Sequence, residues 1–342
     1  LLDELGGTQT TAPNTAYSIC VRRIPRSVRA ELDLSKVKSA LCGAEPVLLD
    51  TQQRFCDAFE PCGFDRAAYR PVYGLAEATL AVSFGPEGGA RFDWVSRRIL
   101  SGFDHAEPVA EHTPDSLAFA CVGTAIAGHE LAVVRPDGTP CTERQVGEIR
   151  FRGPSVMRGY FNDPVATRDV MRDGWLCTGD LGYLAEGQLY VTGRSKELII
   201  KAGRNYVPTD IEAACMEEPR LRPGRAVAFG LPSARTGTED LVVVAEVAEA
   251  ESAGDRQLAQ RLVGRVTERT GVRPDRVELV EPGLLPKTSS GKLQRRRVRA
   301  AFESGVGLDR PKSFLIDSAV QRAQSVVELA RCRVRRLLGW QD

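Results

Sequence analysis

Histidine, methionine and tryptophan each occur only three times in the 342 residues. His105, His112 and His129 lie in or beside one loop-rich stretch, and spacing pairs none of them with a serine or cysteine, so no catalytic triad is expected. The nine cysteines form no CxxC pair and have no histidine spacing suited to zinc. Reduced, mostly buried thiols of a reducing compartment are the expectation. No apolar run approaches the ~20 residues of a membrane span. Residues 1–11 lack the basic flank and apolar core of a secretory signal, so a cytoplasmic location is expected. A formal net charge of +1 lacks the basic excess of a general nucleic-acid binder.

The composition, 42% hydrophobic and 27% charged, is that of a soluble globular protein, and the length accommodates two domains. Apolar runs at 38–41 and 69–73 read as buried strands, each followed by a helical pattern, at 47–59 and 76–82. That alternation predicts a parallel α/β sheet whose strand ends at Gly43 and Gly74 share one ligand-facing rim. Gly63 reads as a helix stop. From 84 to 116 the pattern breaks into Gly, Pro and charge, and regular strand signal returns near 131–134, then at 147–152 and 188–192. Beyond 194 a strand near 198–200, a helix over 208–217, strands at 226–230 and 241–247, a helix over 255–270 and a strand at 276–280 predict a βαββαβ unit. Apolar positions at Val320, Val327, Ala330, Val334 and Leu337 predict a helical tail.

Two distant segments carry the chemistry, DGWLCTGDLGYLAEGQLYVTGRSKELIIK at 173–201 and LPKTSSGKLQRRR at 285–297. The first supplies Asp180 in a TGD turn and Arg194 in a TGR turn, a set suited to holding the hydroxyls of a ribose. The second ends a loop on Lys292, whose charge would stabilise a carboxylate and phosphate reacting together. That is acyl adenylation. Each residue also has a plainer role open to it: a capped loop for Asp180, a surface ion pair for Arg194, a solvated side chain for Lys196, and charge compensation at a helix start for Glu77. The arginines at 295, 296, 297 and 299 read first as a solvated helix face and second as a docking patch for an acidic carrier protein.

These segments, with SALCGAEPV at 39–47, PVYGLAEATLAVS at 71–83 and VTGRSKELIIKAGRNYVPTDIE at 191–212, resemble the fatty acyl-AMP ligases of the adenylate-forming superfamily. The resemblance implies the latter part of the large AMP-binding domain over 1–193, a parallel sheet plus a β-rich subdomain. An insertion at about 84–116 would disfavour the CoA-using arrangement. A small mobile α+β domain over 194–305 would carry the lysine loop, followed by a tail at 306–342. It implies Lys292 as the catalytic residue, Gly43, Ala44, Glu45, Tyr73, Gly74, Asp180 and Arg194 as nucleotide contacts, Lys196 as the hinge and Glu77 as a Mg²⁺ ligand.

ATP and Mg²⁺ are the implied cofactors, a medium or long-chain fatty acid the substrate, and an acyl carrier protein the acceptor. Residues 14–22 resemble the family's acyl-pocket helix. The Ser/Thr/Gly-rich phosphate loop that such enzymes carry upstream of a GAEPV-like segment does not occur here, so the chain reads as the later part of such a ligase. Two alternatives stay open: a long-chain acyl-CoA ligase, and a catalytically silent fragment or a binding subunit dependent on a partner.

Overall fold

The computed structural model describes residues 2–233, 238–288, 293–304 and 308. Strands β1 (Gln9–Ala12), β2 (Ser39–Cys42) and β3 (Tyr69–Gly74) pair in parallel. The chain between them forms helices α1 (Asn14–Arg23), α2 (Arg26–Arg29) and α3 (Leu49–Phe59). Helix α3 forms because Thr51, Phe55 and Phe59 recur every fourth residue, with Gln52 and Cys56 one position on, so one stripe is apolar enough to bury. That stripe meets Tyr17 of α1 and Tyr69 of β3, with the Tyr17 and Phe55 rings 4.8 Å apart and edge-on.

Parallel pairing stops at β3. The helix expected over 76–82 is a single 3-10 turn, Ala76–Ala78, followed by strand β4 (Ala81–Phe84), which runs antiparallel to β3. The reason is local crowding. The chain doubles back so tightly that the Leu80 carbonyl lies against Gly74, and Thr79 takes a φ of 68°, which no helix tolerates.

The break expected from 84 to 116 is also more ordered than its composition suggests. It holds β5 (Phe92–Ser96) and α4 (Arg97–Phe103), and β6 (Ser116–Ala125) follows. Val95, Leu100 and Ala106 are buried with Tyr183 and Ala185. The strand signal of β6 is hidden because its central residues, Ala120 to Gly123, are small and buried consecutively, which erases the two-residue alternation. Strands β7 (Glu130–Val134), β8 (Gly147–Arg152), β9 (Met171–Arg172), β10 (Trp175–Ala185) and β11 (Gln188–Arg194), with helix α5 (Pro164–Val170), complete this part. The sheet runs β1-β2-β3-β4-β6-β11-β10-β8-β7, with β5 on β6 and β9 on β10, so a parallel end grades into an antiparallel one.

After Arg194 a short hairpin, β12 (Ile199–Lys201) and β13 (Arg204–Tyr206), stands as its own two-stranded sheet. The first strand of the expected βαββαβ unit is therefore outside the sheet of that unit. The two-residue turn at Ala202-Gly203, both at positive φ, closes β12 onto β13 first. Helix α6 (Pro208–Met216), β14 (Leu221–Pro232), β15 (Glu239–Val247), α7 (Arg256–Thr270), β16 (Arg276–Val280) and α8 (Arg295–Glu303) follow. Strand β15 is buried from Leu241 to Val247 because it is the middle strand, with α6 and α7 over one face and α8 over the other. Asp255 caps α7 by accepting from the Gln257 and Leu258 amides.

All eight cysteines among the described residues are free thiols. No helix among them is long and apolar enough to cross a membrane. Lys292 and the tail helix expected over 318–338 lie outside the described residues.

Candidate nucleotide site

Strand β10 loses register with β8 between Cys177 and Leu181, and the Thr178–Asp180 turn projects there, directly opposite Arg194 across the β10–β11 pair. The turn is held from beneath: Thr178 Oγ1 donates to the Ile149 carbonyl at 2.7 Å and accepts from the Asp180 amide at 3.1 Å. Asp180 is 5% exposed. Its Oδ2 accepts from the Tyr73 hydroxyl at 2.6 Å and its Oδ1 from Arg194 Nε at 2.7 Å. Burial, reinforced by the neighbouring Asp180 charge, pushes the Tyr73 phenol well above its usual range, so it stays a donor. The Arg194 side chain is 50% exposed and keeps free donor capacity on its solvent side.

Tyr73 brings β3 into this group, and the ends of β2 and β3 lie side by side. A Cβ on Gly43 would stand 2.6 Å from the Val72 carbonyl, and one on Gly74 1.8 Å from the Leu80 carbonyl, so both positions exclude a side chain and leave backbone at the rim. Ala44 follows with a φ of 65°. Glu45 turns away to hold the amide of Thr15 at the start of α1. Tyr73 is 9% exposed, its ring packed in the core, so little of that ring is left for a ligand.

Glu77 sits on the 3-10 turn after β3, and its Oε1 accepts from the Tyr160 hydroxyl at 2.7 Å. That bond holds the Tyr160 phenol up at about 12. The Glu77 carbonyl also accepts from the Met157 amide at 2.7 Å, which fastens the 153–160 segment against the turn. Tyr160 carries no signal in the sequence, because an exposed tyrosine in a loop reads as nothing in particular. Among the described residues no group of three or more His, Cys, Asp or Glu side chains converges to hold a metal. A hard cation at Glu77 would fit as a single carboxylate contact completed by phosphate and water oxygens, which is the usual coordination of Mg²⁺. His129, excluded from a triad by sequence, does have a serine partner. Its Nε2 lies 2.9 Å from Ser155 Oγ and 3.2 Å from the Ser155 amide. With its ring stacked on Phe151, this is a bracket for the 153–160 segment.

Lys196 is exposed in the 3-10 turn Ser195–Glu197 that joins the two parts of the chain. The parts also meet through α4: Arg97 Nε is 2.8 Å from Asp210 Oδ2 on α6, with the two side chains 15% and 20% exposed, and Asn205 Nδ2 donates to Asp104 at 3.1 Å. Breaking a fully buried pair of this kind costs 3–5 kcal/mol. For Arg97→Ala about 2 kcal/mol of docking strength is expected to go, because both groups retain some solvent. Trypsin cleavage at Lys196 should accelerate at least about tenfold, with the strands of each part still protected.

Lys287, at the base of the late loop, has its ammonium pushed down to about 8 by burial and by Arg225 and Arg222. Glu246 and Glu45 oppose that shift. The structure thus gathers Tyr73, Asp180 and Arg194 into direct contact, sets the Gly43–Ala44 and Gly74 backbone beside them, and puts Glu77 on the next turn.

The profile of the AMP-binding enzymes, described as "AMP-binding enzyme", matches residues 1–161. Among curated proteins, the medium-chain-fatty-acid–[acyl-carrier-protein] ligase JamA of Moorena producens is 36% identical over 313 residues, 87% of this chain and 52% of its own length. Over residues 1–161 the chain matches the AMP-binding enzymes, and in sequence and fold it is similar to the adenylate-forming ligases. The long-chain-fatty-acid–AMP ligase FadD32 of Mycolicibacterium smegmatis is 35% identical, covering 88% of this chain and 54% of that protein. A solved structure from work on fatty acyl-adenylate ligases of E. coli and L. pneumophila superposes with a TM-score of 0.79 at 38% identity, covering 89% of this chain and 55% of the other. The chain spans about half the length of the curated relatives it matches. Its mixed parallel and antiparallel α/β architecture is that of the adenylate-forming enzymes.

Proposed function

We propose that this chain carries the adenylate site of a fatty acyl-AMP ligase. A medium or long-chain fatty acid attacks the α-phosphate of ATP, acyl-AMP and pyrophosphate form, and the acyl group passes to the thiol of an acyl carrier protein. The observation that carries this reading is the buried Asp180 carboxylate, clamped by Tyr73 and Arg194 at the rim where β2 and β3 end. A carboxylate fixed in that way is pre-organised to accept hydrogen bonds from a cis-diol, so the ribose gains contacts without reordering the protein. Gly43, Ala44 and Gly74 supply close backbone approach for the base, and Arg194 has donors to spare for the ribose. The AMP-ligase and carrier-protein-ligase names of the relatives favour a carrier thiol over free CoA as the acceptor, and the free thiols support a reducing, cytoplasmic setting.

Lys292 is the charge that develops its strongest contact in the transition state, as negative charge builds between the carboxylate and the α-phosphate. Glu77 is the residue that would hold Mg²⁺, which when bound neutralises phosphate charge. Lys196 is the hinge about which the small domain turns between the two half-reactions. The test is exchange of labelled pyrophosphate into ATP by the purified chain with dodecanoate and Mg²⁺, beside K292A. Lys292-dependent exchange is expected, with K292A down at least about 1000-fold. Exchange that survives the substitution would remove Lys292 from the reaction, and no exchange from folded wild-type chain would refute the reading for this chain alone.

A further inference from the structure

The arginine run at 295–299 does not behave as one solvated face. Arg296 and Arg297 are exposed, whereas the Arg295 side chain is 17% exposed and holds two carboxylates. Its Nε and Nη2 reach Glu212 Oε1 at 3.0 and 2.8 Å, Nη2 reaches Glu212 Oε2 at 2.9 Å, and Nη1 is paired with Glu197. The partners come from separate places. Glu212 lies in α6 and also accepts from the Ala228 amide of β14 at 3.0 Å, so it is fixed to the core of the small domain. Glu197 is the residue after Lys196, on the moving side of the hinge turn. Arg295 itself opens α8, three residues beyond Lys292.

The other foot of the loop is fastened as firmly. The buried Glu246 accepts from the Leu285 amide at 2.8 Å while Arg222 neutralises it at 2.8 Å. Lys287 and Leu293 bridge across the base, and the Gln294 amide donates to the Pro286 carbonyl at 3.0 Å. The foot at Arg295 is tied to the hinge turn through Glu197.

We propose that Arg295 is a positioning residue that couples the hinge turn to the base of the late loop, so that the setting of Glu197 at the hinge decides how firmly residues 285–288 and 293–294 are held. This rests on the roles given above to Lys196 and Lys292. The coupling needs a fork: one guanidinium must bond Glu212 and Glu197 together, which a lysine, a compact single charge, does not do. A static bracket between α8 and α6 would need only the Glu212 half.

The test is hydrogen exchange by mass spectrometry on the whole chain, comparing wild type, R295K, E197Q and the double variant. Expected is about a tenfold faster exchange of residues 285–288 and 293–294 in R295K and in E197Q alike, no further gain in the double variant, and unchanged protection of Glu239–Val247. Faster exchange throughout the small domain in R295K, or no response of the loop feet to E197Q, would overturn the proposal. In pyrophosphate exchange, R295K should lower kcat about tenfold with KM for ATP held, because a misplaced Lys292 loses transition-state contacts alone; an unchanged kcat would equally overturn it. Wild-type chain without exchange activity would count against the functional reading, while the hydrogen-exchange comparison still decides the coupling.

Discussion

Asp180→Ala is expected to weaken binding of AMP and of an acyl adenylate about 100-fold, and to lower the melting temperature by a few degrees. On the proposed role, the affinity loss follows from removing a buried, charged acceptor for two ribose hydroxyls, each such bond contributing roughly 1.5–3 kcal/mol. The stability loss has a separate origin. The buried Tyr73 hydroxyl, 2.6 Å from Asp180, would lose its charged acceptor, which costs about 1–3 kcal/mol, and Arg194 would lose its anchor. Asp180→Asn separates the two effects. It keeps an acceptor for one of the donors and so most of the stability, but it loses the charge and half the acceptor capacity, so affinity still falls about tenfold or more. Titration calorimetry with AMP and thermal melts of both variants check this. Ribose affinity unchanged in Asp180→Ala would exclude it from the site.

Gly74→Ala is expected to cost about 3 kcal/mol or more, measured as a shift in the urea midpoint. A new Cβ would lie 1.8 Å from the Leu80 carbonyl and 3.2 Å from the Ala81 Cα, both backbone atoms that no rotamer can move aside. Relief requires opening the turn that carries Glu77 and pulling β4 off β3. The substitution should therefore also loosen the Tyr160 contact to Glu77, seen as faster exchange in the 153–160 segment. A midpoint within error of wild type would show that the doubling-back of the chain at Gly74 is wrong.

Much of this was legible in the residues. The strands at 147–152 and 276–280 and the helices over 208–217 and 255–270 stand where periodicity puts them, since each has one apolar face and a clear cap or turn. The TGD and TGR turns do bring Asp180 and Arg194 face to face: the short turn at Glu186-Gly187 starts the hairpin, and a bulge between Leu181 and Gly182, which the residues do not announce, shifts the pairing by one so that Asp180 meets Arg194. What the sequence hid has physical causes. The apolar run at 76–82 fits helix and strand equally, and the crowding at Gly74 that decides between them is a tertiary contact. Strand β6 is buried through its centre without alternation. Tyr160 reaches Glu77 across 83 residues, and Arg295 reaches Glu197 across 98, so both partnerships depend on how whole elements pack.

The central claim is that the rim formed by Gly43, Gly74, Asp180 and Arg194 binds a fatty acyl adenylate. The most direct measurement is calorimetric titration of the purified chain with a non-hydrolysable dodecanoyl-adenylate analogue, beside Asp180→Asn and against the same analogue lacking its acyl chain. The account predicts one saturable site per chain, binding at least about tenfold weaker in Asp180→Asn, and weaker still when the acyl chain is absent. Binding that ignores Asp180, or no saturable binding by a chain shown to be folded, would contradict it.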